Sequence, residues 1–285
     1  MAGQNPAEAQ VEVVNAHTHV FGDLYHQLLR APWWVELTAL AALFLLINLV
    51  FAALYLVFGG VANAHPGSFT DAFFFSVQTL GTIGYGTMYP ASSAANILVA
   101  FESFAAVIVT AIATGLVFSK FSMPTARLAF SRDATIFTMD QQTTLAFRIA
   151  NERGNYVVEA QVRVSIVRTE KTPEGQVLYR MHDLQLVRDR SPALGRSWTV
   201  LHRIDEKSPL KGATSASLRQ DEVEVIVTIL GIDGTSAQTI HGRYSYTDGH
   251  VLFGRRHADM LRELPGGKLQ LDYAKFHEHI EAPLV

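Results

Sequence analysis

Two long apolar runs and one tract of alternating residues divide this chain. From Leu37 to Phe58, 22 residues carry no charge, and only Thr38 and Asn48 interrupt the apolar pattern. At about 1.5 Å per residue, a helix of that length crosses the roughly 30 Å hydrocarbon core of a bilayer. A second run extends from Ala94 to Phe118, broken by Glu102, Ser103, Thr110 and Thr114, and stops at Lys120 and Pro124. The pattern predicts an outer helix over 33–58, ended by Gly59-Gly60, and an inner helix over 93–121, within a membrane domain over 33–122. Between them, Asp71 to Leu80 is apolar but too short to span. It predicts a re-entrant helix over 70–81 buried in protein, with Ser68 or Thr70 at its cap. Upstream, Leu24, Tyr25 and Leu28 share one helical face just before Pro32-Trp33-Trp34. This predicts an interfacial helix over 23–32, its tryptophan pair at headgroup level.

After Pro124 the period changes from helical to two. Val158, Ala160, Val162, Val164 and Ile166 alternate with Glu159, Gln161, Arg163 and Ser165, and Val223, Val225, Val227 and Ile229 repeat the pattern. Turn signals separate such runs: Gly154-Asn155, Pro173-Glu174-Gly175, Asp233-Gly234, Asp248-Gly249 and Pro265-Gly266-Gly267. Many short half-buried strands with regular breaks predict an all-β, immunoglobulin-like sandwich over 124–285.

Charge sharpens this division. All but two of the 23 basic residues follow position 122, the exceptions being Arg30 and Lys120. The net charge of −3 therefore averages two unlike halves and suggests no nucleic-acid partner. Gly59 to Ser93 has no Lys or Arg, whereas Arg30, Lys120, Arg127 and Arg132 flank the apolar runs on their other sides. By the positive-inside rule, both termini face the cytoplasm and the sandwich is a cytoplasmic domain. Residues 1–22 lack a basic stretch followed by an apolar one, and read as a cytoplasmic lead rather than a cleaved signal. With no cysteine in the chain, disulfides and thiolate chemistry are excluded. The pairs His17/His19 and His277/His279 lack a third ligand, and His182-Asp183 with the serines forms no recognisable triad, so enzyme activity is not expected.

Candidate chemistry concentrates in Thr79-Leu80-Gly81-Thr82-Ile83-Gly84-Tyr85-Gly86, between the apolar runs. Thr-x-x-Thr-x-Gly-Tyr-Gly has the form of a potassium selectivity filter, in which main-chain oxygens replace the water shell of the ion. Gly84 and Gly86 reach backbone angles forbidden to residues with a Cβ. On this reading Thr82, Ile83, Gly84, Tyr85 and Gly86 form the filter, over 82–86. Thr82 adds its hydroxyl at the lowest ion site, Thr79 supports the loop, and Tyr85 braces it from behind. One such loop is a quarter of a pore, so a homotetramer is expected. K⁺ would be the only metal, bound as the permeant ion through carbonyls, with no cofactor.

Glu102 is a carboxylate at membrane depth, where an unpaired charge is costly. It is expected behind the filter, hydrogen-bonded to groups of the re-entrant helix or filter loop. Thr110, Thr114 and Phe118 recur every fourth residue and share one helix face. They suit a water-filled cavity narrowing to a hydrophobic constriction; a helix–helix contact is the alternative. Arg30, Trp33, Trp34, Lys120 and Arg127 fall near the cytoplasmic surface, each cation worth about 1 kcal/mol toward anionic lipid.

Beyond the filter, the residues resemble one family, the prokaryotic inwardly rectifying potassium channels (KirBac). Phe73-Phe74-Phe75-Ser76-Val77-Gln78, Arg148-Ile149-Ala150-Asn151, His182-Asp183-Leu184, Ile204-Asp205-Glu206-Lys207-Ser208-Pro209-Leu210 and Arg243-Tyr244-Ser245-Tyr246 look like its motifs in its order. The resemblance implies a tetrameric channel in the inner (plasma) membrane, its interfacial slide helix coupling the β-domain to the gate, and regulation by anionic phosphoinositides. It also implies that Phe118 is the bundle-crossing gate. Thr110 then stands where strong rectifiers carry an acid that holds Mg²⁺ or polyamines, so block should be weak. The sequence departs from the family pattern in three places. Thr87 leaves the outer mouth with little fixed charge. Ala105-Ala106 replaces the usual hinge glycine, leaving Gly115 as the bending point. Met123, Thr125 and Ala126 replace part of a basic cluster. Two other readings remain, a less selective cation channel on the same scaffold and a membrane-tethered sensor with a silent pore.

Overall fold

The computed structural model describes residues 24–123 and 126–284. The lead assigned to 1–22, Asp23 at the start of the slide helix, and the Pro124 stop lie outside the described residues. The described residues fall into two compact units, one ending at Met123 and the other comprising residues 126–284.

The first unit is helical: α1 Leu24–Arg30, α2 Trp33–Phe58, α3 Phe69–Leu80 and α4 Ser93–Phe121. The short α1 ends two residues before Pro32, whose ring admits no helix continuing through it. Helices α2 and α4 are long and apolar enough to cross a membrane, and most of their surface is exposed. Leu45, Leu49, Phe101, Phe104 and Val107 all face outward. The re-entrant helix α3 begins and ends one residue earlier than the 70–81 read from the sequence. Ser68 sets that start, since its hydroxyl accepts from the Asp71 N–H at 3.2 Å as N-cap. Inside the unit, Ala52 and Tyr55 of α2 meet Ala72 and Phe75 of α3, with the Tyr55 and Phe75 rings edge to face at 5.0 Å.

The segment carrying α3 is pinned at both ends. The Gly60 carbonyl accepts from Ala91 N at 2.7 Å and Ser92 N at 3.3 Å, and Val61–Ala62 pairs antiparallel with Tyr89–Pro90. Gly60 has φ +83, and a Cβ there would fall 2.0 Å from Ser92 Oγ. Only glycine fits that closure.

The second unit is a β-sandwich. Its main strands are β1 Leu128–Phe130, β2 Ala134–Met139, β3 Gln142–Asn151, β4 Val157–Lys171, β5 Val177–Asp183, β6 Arg190–Leu194, β7 Ser197–Arg203, β8 Glu224–Asp233, β9 Thr239–Tyr246 and β10 Val251–Phe253. One five-stranded sheet runs β9-β8-β4-β5 with β6 also paired to β4. The other runs β10-β2-β3-β1 with β7 also paired to β3. Every pairing is antiparallel except β10 with β2. Ile136, Leu145, Phe147 and Ile149 of one sheet and Val162, Val164, Ile166, Val225, Val227 and Ile229 of the other share one buried core.

The alternation read along β4 slips at its start. Val157, not Val158, is buried, because Glu159 adopts φ +50 and the ladder with β8 shifts register between Leu230 and Ile232. This β-bulge inserts a residue and turns Val158 outward. Opposite it, a Cβ on Gly231 would lie 2.5 Å from Val157 Cγ1, so the bulge requires a bare backbone there. The Asp248-Gly249 signal belongs to a 3₁₀ turn, Asp248–His250, that leads from β9 in one sheet to β10 in the other.

Downstream, β11 Arg255–His257 pairs with β14 His279–Glu281, and β12 Leu261–Leu264 forms a hairpin with β13 Lys268–Leu271. Arg148 of β3 holds this tail, its guanidinium donating to the carbonyls of Ala258 and Lys275.

Candidate functional site

The loop after α3 has a backbone of alternating φ sign. Thr82, Gly84 and Gly86 have φ of +55, +61 and +77, while Ile83 and Tyr85 between them do not have positive φ. A regular strand turns successive carbonyls to opposite sides. Alternating the sign of φ works against that reversal. Glycine accepts positive φ freely, whereas Thr82 does so at a steric cost.

The end of α3 holds this loop through its backbone. Gly81 N–H donates to Val77 O at 2.9 Å, Thr82 N–H to Thr79 O at 3.1 Å, and Ile83 N–H to Gln78 O at 2.9 Å. Thr79 therefore reaches the loop through its carbonyl, while its hydroxyl donates back to Phe75 O at 2.9 Å. These carbonyls sit at the negative end of the α3 dipole, which favours a nearby cation. On the far side, Asn63 Nδ2 donates to Thr87 O at 2.8 Å. Tyr85 is 72% exposed in the single chain, and among the described residues no hydrogen bond or ring contact braces it.

Behind α3 lies a buried polar network. Ser76 Oγ lies between Asn48 Oδ1, at 2.9 Å, and the Glu102 carboxylate, while Tyr55 Oη donates to Glu102 Oε2 at 2.6 Å. Asn48 is anchored in turn by Nδ2 to Phe44 O at 2.7 Å. Glu102 thus ties α4 to α3 through Ser76 and to α2 through Tyr55, one turn of α3 from the Thr79 carbonyl. Among the described residues its hydrogen bonds go to α2 and α3, and Ser76 of α3 is the re-entrant-helix group expected to hold it.

Thr110, Thr114, Gly115 and Phe118 are all exposed on the single chain, Phe118 at 70%. Thr114 and Phe118 share a mainly apolar surface with Ala113, Val117 and Phe121. Helix α4 runs unbroken through Gly115, where an added Cβ would meet nothing within 4 Å. Arg30 is exposed at the end of α1, as are Trp33 and Trp34, and Arg127 is exposed in the second unit.

Lys120 is placed differently. Its side chain is only 7% exposed and its ammonium lies 2.7 Å from the carboxylate of Glu36, itself 1% exposed. The same nitrogen donates to Ala31 O at 2.7 Å and Leu28 O at 3.3 Å, and lies 5.0 Å from the centroid of the Trp33 ring. Within one chain Lys120 is thus engaged by an ion pair and two backbone carbonyls.

Two family models match: an ion channel model over residues 42–123, and the inward rectifier potassium channel C-terminal domain over residues 128–285. The chain belongs to the inward rectifier potassium channel family. It is 43% identical to the inward rectifier potassium channel Kirbac3.1 of Paramagnetospirillum magnetotacticum over 257 residues, 90% of this chain and 87% of that one. It is 32% identical to the G protein-activated inward rectifier potassium channel 1 of Bos taurus, and 33% identical to channel 4 of Mus musculus. Those matches take in 92% and 75% of this chain but only 56% and 53% of the mammalian proteins. The channel is therefore a membrane protein whose two apolar helices frame the filter loop and whose β-rich domain is that of inward rectifiers.

Proposed function

We propose that four copies of this potassium channel chain surround one axis, and that the carbonyls of Thr82, Ile83, Gly84 and Tyr85, with the Thr82 hydroxyl, replace the water around K⁺. Gly86 completes the loop, and passive conduction uses no cofactor. The observation that supports this reading is the alternating sign of φ through Thr82, Gly84 and Gly86, since an ordinary strand would turn successive oxygens apart.

The chain would sit in the inner (plasma) membrane with both termini cytoplasmic. The exposed face of Thr110, Thr114 and Phe118 lines the ion path, Phe118 forms the constriction, and Gly115 allows bending. Mg²⁺ and polyamines block weakly at a neutral Thr110. Anionic phosphoinositides act at the exposed Arg30, Trp33, Trp34 and Arg127.

Barium-sensitive rubidium uptake into proteoliposomes, set against sodium uptake and repeated with and without phosphoinositide, tests the reading. Rubidium uptake far above sodium, changed by the lipid, is expected. Equal uptake of both ions would make this a less selective cation channel, and no barium-sensitive uptake would make the pore silent.

A further inference from the structure

Three helix ends meet at Lys120. Glu36 lies in the first turn of α2, Lys120 in the last turn of α4, and Leu28 O and Ala31 O at the C-terminal end of α1. The ammonium donates to Ala31 O and Leu28 O, and its charge sits 2.7 Å from the buried Glu36 carboxylate as an ion pair. Each charge also suits its position, with a carboxylate at a helix N-terminus and an ammonium at the C-termini of two others. Helix α2 has no side-chain cap on its preceding residue, Pro32, so Glu36 is the acidic group that serves its first turn.

We propose that Glu36 and Lys120 form a lock that sets the position of the gate helix end: the pair clamps the last turn of α4 to the corner between α1 and α2. Lys120 lies two residues beyond Phe118, on the same turn of α4. Any motion that carries Phe118 away from its present place must pull the ammonium from three partners at once. It would also leave a buried carboxylate without a counter-ion, which a low-dielectric site penalises heavily. The lock therefore gives the end of α4 two discrete arrangements, held and released, and couples α1 to that choice. Glu36 and Lys120 are positioning residues; neither touches the permeating ion.

This rests on the reading of Phe118 as the constriction, so the test has a structural arm and a conduction arm. The chain has no cysteine, so a single Gln27→Cys on the exposed side of α1 takes a spin label without background. In full-length channel in phosphatidylcholine vesicles, the label should be immobilised. Glu36→Gln and Lys120→Met should each mobilise it and shift the single-channel open-to-closed ratio in the same direction, by about tenfold. The double variant should shift that ratio no further than either single change, and Lys120→Arg should leave it unchanged. Glu36→Lys with Lys120→Glu should restore much of it.

Additive shifts in the double variant would overturn the lock. So would label mobility that rises with no change in open-to-closed ratio, since the pair would then be an anchor only. An effect of Lys120→Met seen only after adding phosphoinositide would assign the ammonium to a headgroup instead. Barium-sensitive flux in the unsubstituted channel checks the underlying reading separately.

Discussion

Tyr55→Phe isolates one bond of the network behind the filter. The substitution keeps the ring and its edge-to-face contact with Phe75, and removes only the hydroxyl that donates to Glu102 Oε2 at 2.6 Å. Both residues are buried, so water cannot readily replace the lost donor. A hydrogen bond to an ionisable partner is worth about 1.5–3 kcal/mol, which is about a tenfold to 150-fold change in an equilibrium or a rate. The loss falls on Glu102, which also holds Ser76, and Ser76 precedes the Gln78 and Thr79 carbonyls that receive the filter N–H groups. The readout is the rate at which barium-sensitive rubidium uptake is lost when proteoliposomes are held at a fixed elevated temperature. If the bond breaks before the inactivating step, Tyr55→Phe should inactivate at least about tenfold faster. Ser76→Ala should be comparable, and the two changes together should fall short of the product of their effects. A rate within twofold of the unsubstituted channel would refute the view that this network supports the filter.

Other expectations follow from the second unit and the inner helix. Burial, and then the nearby Arg148 guanidinium, holds His257 down at about 4. Between about pH 6.5 and 4 the unfolded chain takes up a proton that the folded one refuses, so stability is present above that window and falls as pH drops through it. The loss amounts to about 3 kcal/mol, and His257→Gln should flatten the dependence in urea unfolding followed by circular dichroism. Gly231→Ala forces a Cβ to 2.5 Å from Val157 Cγ1 and should cost about 1–3 kcal/mol in the same assay. Internal Mg²⁺ or spermine should block weakly, and Thr110→Asp should strengthen block by more than about tenfold in patch recordings. Gly115→Ala meets no neighbour within one chain, and if α4 bends there the substitution should lower the open-to-closed ratio in single-channel recordings.

The filter and its frame were legible because they rest on backbone chemistry that few residue strings satisfy. Gly84 and Gly86 announce positive φ, whereas nothing in the identity of Thr82 does. Glu102 was conspicuous as a lone acid inside an apolar run. Glu36 was not, because one charge beside two tryptophans reads as the ordinary edge of a membrane helix, and its partner lies 84 positions along the chain. The same pairing hid the fate of Lys120, which position alone directs to the membrane surface. Tyr55, Asn48 and Ser76 carry no periodic signal and become a set only when α2, α3 and α4 pack. Val157 was missed because counting by two assumes an unbroken ladder. The Gly231 opposite the bulge was the available clue, since glycine inside a strand signals close approach.

The sign changes along Thr82 to Gly86 amount to a chain that alternates handedness from one residue to the next. Ribosomal synthesis supplies only one enantiomer, and glycine is the nearest thing it has to the other. At Gly84 and Gly86 an added methyl would meet no neighbour within the single chain, so chirality excludes an L-residue there more than crowding does. A semisynthetic chain with D-alanine at Gly84 should therefore keep the loop's shape, whereas the L-isomer should distort it.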